Sequence, residues 1–435
     1  MDGCSVPVAL RGQRRRRDAR GAGGRGPANR LDDPQTRTPV NNRSDLSALK
    51  ARALKALDGL DAEARDLALR IHAHPETGFE EHQAVAWITE MLEGHGLAVE
   101  RGIAEIPTAI AARARGAAPG PTVGLIAEYD ALAGLGHACG HNLMGAGMAA
   151  AAVALRAVMP ELRGSVVYSG TPAEEGGGGK ILMLERGAFA GVDAALQYHA
   201  GPDTSVATGC LAVQTVQFRF SGRPAHAAAA PWKGANALDG VLVTFTAVNA
   251  LRQQIRPDAR IHGIITDGGQ AVNIIPERAA AEFGVRSTDG AYVRELMGRV
   301  EACARAAAGA SGTAVAVSHG LFHDSLKYVP ALAGVVRQNA KTLGFDMAEK
   351  LVGASTDLGN LSQAVPTVSY TLPTCPPGVG MHTREALDAG ASELGLRGMI
   401  NDARVMVTTA IDLLASPEIL ETVRAEFRGG NSTGF

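Results

Sequence analysis

Apolar positions along the chain change period twice, and those changes divide it. Residues 46–57 show helical spacing after the caps offered by Ser44-Asp45-Leu46-Ser47. A second helical pattern covers 61–73, with Leu67, Leu69 and Ile71 partly inward, and Pro75 stops it. A third covers 80–94, with Val85, Ile88 and Leu92 on one face and Gly94 and Gly96 at its end. The pattern then shortens. Residues 108–113 and 122–127 read as strands, and the second, Thr122-Val123-Gly124-Leu125-Ile126-Ala127, is apolar on both faces, as a covered strand is. A helix is predicted at 142–155, and further buried strands at 165–170 and 192–198. Strands alternating with helices make this an α/β domain with a central sheet.

The texture changes at about residue 209. Val213-Gln214-Thr215-Val216-Gln217-Phe218-Arg219-Phe220 alternates apolar and polar, as a one-sided antiparallel strand does. A helix at 236–252, strands at 260–265 and 279–285, a helix at 293–308 and a strand at 314–317 follow. The order β-α-β-β-α-β is that of a ferredoxin-like sandwich. A helix at 329–343, a strand at 366–370 and a long helix at 391–414 then resume the first domain. The expected organisation is a tail at 1–45, an α/β domain in two parts at 46–208 and 324–435, and an inserted small domain at 209–323. Gly209 and Phe322-His323-Asp324 are candidate hinges, and 428–435 reads as a frayed end.

Length agrees with this division, since 435 residues exceed one ordinary core. Hydrophobic content of 46% and charged content of 20% are those of a soluble globular protein, and no apolar run reaches the roughly 18 residues of a membrane span. The net charge of −2 hides an uneven spread. The first 45 residues are arginine-rich, including Arg14-Arg15-Arg16-Arg17, and hold too little apolar surface to fold. A nucleic-acid arm, an export signal and a mistaken start site are the open readings; no hydrophobic stretch follows the arginines to support export. The remainder is acidic, so neither nucleic acid nor a membrane is an expected partner. Five scattered cysteines argue against a disulfide framework and for a reducing, cytoplasmic compartment.

Chemistry gathers at the predicted strand ends. One strand runs into Glu128-Tyr129-Asp130, and Gly136-His137-Ala138-Cys139-Gly140-His141-Asn142 follows. Cys139 and His141, one residue apart, can point at one centre as ligands of a zinc-like metal; a tight turn with a buried thiol and a core histidine is the alternative. Glu174-Glu175 ends another strand, where adjacent carboxylates without a cation repel. The glycines at 176–179 suggest a phosphate loop, but that spacing needs Gly at 174 and Ser or Thr after Lys180, where Glu174 and Ile181 stand. His199 ends a further strand, and His382 lies in a glycine-bounded loop. His72 and His74 read as packing histidines. Cys139, His141, Glu175, His199 and His382 are enough donors for two ions sharing a bridge, which together can polarise a carbonyl and activate water. Glu174 is then free to act as general base.

These motifs resemble the M20 family of metallopeptidases in its amidohydrolase branch, the group with aminobenzoyl-glutamate hydrolase B-type subunits and M20-domain dipeptidases. The matching text is His74-Pro75-Glu76 with Phe79-Glu80-Glu81, Glu128-Tyr129-Asp130-Ala131-Leu132, the stretch from Gly136 to Asn142, Pro172-Ala173-Glu174-Glu175-Gly176-Gly177, Gly222-Arg223-Pro224-Ala225-His226-Ala227, Asn236-Ala237-Leu238 and Asn273-Ile274-Ile275-Pro276. The resemblance implies a catalytic α/β domain with a mixed sheet and a ferredoxin-like lid that also forms a homodimer. It implies two divalent ions, zinc or manganese, with Cys139 bridging and His141, Glu175, His199 and His382 as further ligands. It makes Glu174 the base and Asp130 the residue that orients the centre. His226, from the partner's lid, would hold the oxyanion, and Asn273 and Arg286 the substrate carboxylate. The implied reaction is attack of metal-bound hydroxide on the amide of an N-acyl amino acid or dipeptide with a free carboxylate. A non-catalytic partner subunit of a two-subunit hydrolase is the alternative. Asn142, where many amidohydrolase-branch members carry Asp, leans toward the dipeptidase group. Gly353-Ala354-Ser355-Thr356-Asp357, where relatives often carry Ser-Glu-Asp-Phe, leaves the substrate open.

Overall fold

The computed structural model describes residues 43–429. The arginine-rich segment, apart from its last residues, and most of the expected frayed end lie outside the described residues. In chain order the first part holds α1 (Arg43–Asp58), α2 (Asp61–Ala73), α3 (His82–Gly94), β1 (Val99–Arg101), β2 (Ile110–Arg115), β3 (Ala118–Ala127), α4 (His141–Arg156), β4 (Arg163–Gly170), α5 (Gly179–Glu185), β5 (Ala194–Tyr198) and β6 (Ser205–Gly209). The inserted part holds β7 (Ala212–Ser221), α6 (Ala237–Leu251), β8 (Arg260–Asp267), β9 (Arg278–Ser287), α7 (Gly290–Ser311) and β10 (Ala314–His319). The last part holds α8 (Pro330–Thr342), β11 (Ala348–Leu351), α9 (Leu358–Ala364), β12 (Thr367–Thr371), α10 (Arg384–Ala389), α11 (Glu393–Ala415) and α12 (Pro417–Gly429).

Eight strands form one mixed sheet in the order β1-β2-β4-β3-β5-β12-β6-β11. Its centre, β4-β3-β5-β12, is parallel. These strands are buried on both faces, which explains their unbroken apolar runs. Helix α4 is buried along nearly its whole length, and its alanines and glycines let α11, α2 and the sheet approach closely. Gly147 shows the fit: a Cβ there would come within 2.1 Å of the Tyr198 hydroxyl.

The inserted strands form a separate antiparallel sheet, β10-β7-β9-β8, with α6 and α7 packed on it. That is the ferredoxin-like order, and Phe218, Phe220, Phe283 and Val293 belong to its own core. Strand β8 lies at the edge, with Ile264 and Ile265 exposed. Among the described residues no helix is long and apolar enough to cross a membrane.

Several elements differ from the sequence expectation. Residues 417–429 form α12, so Arg428 and Gly429 continue a helix instead of fraying. Only Leu420 and Val423 are fully buried there, which leaves a thin apolar stripe in a polar sequence. Strand β11, Ala-Glu-Lys-Leu, carries no strand signal of its own; its pairing with β6 makes it one.

Candidate active site

The chemistry-bearing residues collect at the C-terminal edge of the parallel strands, where open α/β sheets place ligands. Strand β3 delivers Glu128 and Asp130, β4 delivers Glu174 and Glu175, and β5 delivers His199. The start of α4 delivers Cys139 and His141, and the loop between β12 and α10 delivers His382. The backbone is bent tightly to do this. Gly140 has φ +75°, and a Cβ there would lie 2.4 Å from Cβ of Ala200. Ala173 (φ +57°) and His382 (φ +64°) adopt left-handed conformations without being glycine, a strain typical of functional sites.

Sγ of Cys139 lies 3.7 Å from Nε2 of His199 and 3.3 Å from Nε2 of His382. The latter nitrogen is 3.2 Å from Oε1 of Glu175. Nδ1 of His199 donates to the Ala200 carbonyl at 2.8 Å, so its Nε2 lone pair faces the cluster. Nδ1 of His141 likewise donates to Oδ1 of Asp130 at 3.0 Å. The other Asp130 oxygen accepts the backbone N–H of Glu175 at 2.9 Å. Two donor triads contain the thiol, Cys139 with His141 and His199 and Cys139 with Glu175 and His382, and His141, Glu174 and Glu175 make a third. In each, the donor atoms lie within 4.8 Å of one another.

Electrostatics follow from burial. It pushes the Cys139 thiol up to about 12 and holds His199 below its ordinary value. Burial also raises Glu174 well above the carboxylate range, and Glu128 and Asp357 add to this. Glu174 nevertheless lines a cavity of about 280 Å³, shared with Cys139, His199, Ser355, Ser369 and His382.

The remaining expected residues lie elsewhere. His226 is exposed on the inserted part, where its Nδ1 accepts the N–H groups of Ala228 and Ala229, both at 3.2 Å, leaving the ring proton on Nε2. The N–H of Ala227 donates to the Asn273 carbonyl at 3.0 Å, so Asn273 shares that corner. Neither residue lines the cavity. Arg286 donates to Oγ of Ser355 at 2.9 Å, on the cavity wall. His72 bonds the Leu387 carbonyl, and His74 the Arg70 carbonyl, as packing histidines do. Sequence reasoning passed over Lys180, buried with Glu128 and Asp357. Its one signal was a lysine among apolar residues after four glycines.

A donor cluster at the ends of parallel strands, beside an inserted ferredoxin-like unit, defines a two-part α/β hydrolase. The chain belongs to peptidase family M20/M25/M40, whose model matches residues 120–397, and it acts on amide or peptide bonds. It is 34% identical over 411 residues to the Xaa-Arg dipeptidase of Homo sapiens, covering 89% of this chain and 94% of that one. It is 29% identical to the B-type subunit of p-aminobenzoyl-glutamate hydrolase from Escherichia coli (strain K12), covering 85% of this chain and 93% of the relative. Its fold matches the crystal structure of the Bacillus subtilis YXEP protein, a dinuclear metal binding peptidase of the M20 family, with a TM-score of 0.66 and 19% identity over 82% of this chain and 99% of that one.

Proposed function

We propose that the chain is a two-metal amidohydrolase cleaving the amide of a dipeptide or N-acyl amino acid with a free carboxylate. The observation that carries this reading is the thiol of Cys139 belonging to two donor triads at once. The donors suit divalent cations. Nε2 of His141 and Oε1 of Glu175 are buried and make no well-formed hydrogen bond, their nearest polar neighbours being Oε2 of Glu128 at 3.3 Å and Nε2 of His382 at 3.2 Å, a set of groups that a cation could draw together. A thiol pushed up to about 12 likewise needs a cation to become a thiolate. His141 and His199 would hold one ion, Glu175 and His382 the other, with Cys139 between. Thiolate and imidazole suit zinc, and the carboxylate admits manganese. Such ions supply Lewis acidity toward the scissile carbonyl and toward water.

The protein's own groups do the rest. The side chain of Glu174 stands at the cavity wall without an ion pair or hydrogen bond among the described residues, free to take a proton from water and give it to the leaving amine. Arg286 reaches the same wall through Ser355, where a guanidinium can grip a carboxylate. His226 presents an Nε2–H donor suited to an oxyanion, but from the inserted lid. A second copy of this chain, paired along β8, is the proposed source of that donor. The similarity to an Xaa-Arg dipeptidase and to a p-aminobenzoyl-glutamate hydrolase subunit supports a dipeptide ending in arginine or an N-acylated glutamate as substrate.

The test is metal content per chain, with activity before and after chelation and metal return. Paired kinetics would use a dipeptide ending in arginine and an N-acylated glutamate. About two ions per chain and recoverable cleavage of either substrate support the reading. A metal-free chain with unaffected cleavage removes it.

A further inference from the structure

Behind Glu174 lies a charged cluster that the proposed chemistry does not use. Glu128 follows β3, Lys180 lies in the first turn of α5, and Asp357 precedes α9. All three side chains are 0% exposed. Nζ of Lys180 is 2.5 Å from Oε1 of Glu128 and 2.6 Å from Oδ1 of Asp357. Oδ2 of Asp357 accepts the backbone N–H of the same lysine at 2.9 Å. Nε2 of Gln197 donates to Oε1 of Glu128 at 2.8 Å. Carboxylate atoms of Glu128, Glu174 and Asp357 lie within 4.8 Å of one another, a spacing at which ions collect. The ammonium of Lys180 stands among them as the chain's own cation.

Holding α5 in place does not require this charge. The backbone N–H of Lys180 already anchors Asp357, and an apolar side chain of equal length would fill the space without the desolvation a buried ion pair carries. The ammonium engages Glu128 and Asp357. Glu128 matters most, because its second oxygen is only 3.3 Å from Nε2 of His141. Without the lysine, Glu128 would be free to compete with the residues proposed to hold a cation beside His141. Glu174 is the acid of the cage left without an ion pair.

We propose that Lys180 is a positioning residue for the hydrolysis: an internal cation that ties Glu128 and Asp357 and leaves Glu174 free to face substrate. The proposal rests on the reading of Glu174 as proton carrier. It predicts that the cage responds to charge balance, which a purely packing role would not.

The experiment compares the full-length chain with Lys180→Met, Lys180→Met/Glu128→Gln and Glu174→Gln. Each is measured for metal content, for apo-protein melting, and for kcat and KM on an arginine-ending dipeptide or N-acylated glutamate, whichever the parent cleaves. Lys180→Met should lower kcat about 100-fold, the scale of a misplaced catalytic group, with KM within about threefold and metal content equal to the parent. The double variant, with one acid fewer to balance, should recover at least about tenfold of that kcat. An unchanged kcat in Lys180→Met overturns the proposal. So does a double variant no better than the single, or a rate loss matched by metal loss. If Lys180→Met does not fold, a double variant that folds and turns over supports charge balance, and one that stays unfolded or inactive overturns it. Glu174→Gln separates the two readings. Full activity there removes Glu174 as proton carrier, whereas an inactive Glu174→Gln beside a normal Lys180→Met removes only the role given to Lys180.

Discussion

Asp130 and His141 are locked together: Oδ1 of the aspartate lies 3.0 Å from Nδ1 of the ring, and both side chains are fully buried. The same carboxylate takes the backbone N–H of Glu175 with its other oxygen. One carboxylate thus ties together two separate segments, each carrying a proposed donor. Asp130→Ala should leave far-UV circular dichroism intact but lower metal affinity about 10- to 100-fold, the usual effect of losing such a partner. Competition with a chelator of known affinity measures this, and an unaltered competition curve would refute the orienting role.

Gly140 separates the two donors on one turn, with left-handed φ and a backbone pressed against Ala200. Gly140→Ala adds both conformational strain and overpacking, together about 2–5 kcal/mol. Urea denaturation should show a lower midpoint with an unchanged slope. A midpoint equal to the parent's would mean that the turn relaxes at no cost.

Glu81 lies buried beneath the active-site turn, where its Oε1 accepts the N–H of Ala173 at 2.8 Å. Burial raises its carboxyl to about 7 from the ordinary 4.5, and the nearby Asp130 charge adds to this. Between those values the native state keeps a proton that the unfolded chain has released. Its contribution is therefore fully present below about pH 4.5 and lost as pH rises through about 7, a swing of about 3 kcal/mol. Glu81→Gln keeps the acceptor without the charge. Its stability relative to the parent should climb across that window in urea melts at matched pH values; parallel profiles would contradict the assignment.

Strand β8 exposes Ile264 (65%) and Ile265 (44%) at a sheet edge. Unpaired apolar edges invite a second strand. If two copies pair there, Ile264→Lys with Ile265→Lys should weaken association by about 2 kcal/mol or more and yield monomers by light scattering. A parent that is already monomeric would remove the dimer reading.

Much of this was legible in the linear chain. Buried parallel strands announce themselves by unbroken apolar runs, and the inserted sheet by the alternation from Val213 to Phe220. The donors could be named because Cys139-Gly140-His141 and Glu174-Glu175 carry their chemistry within a few residues of one another. Strand β11 and helix α12 could not be read, since their apolar content is too thin to separate them from loop without the surfaces they cover.

The sequence by itself determined the alternation of elements, the inserted unit, and the donor types that collect at the strand ends. Those are local matters of period, turn and side-chain chemistry. The tertiary structure decided which of the proposed donors lie together and which acids are ion-paired. Cys139 meets His382 across 243 positions, and Lys180 meets Asp357 across 177. No local pattern encodes such a meeting. A buried lysine is spelled like an exposed one, and only the packing of α5 against α9 takes this one out of water, where its charge must be answered by neighbouring acids.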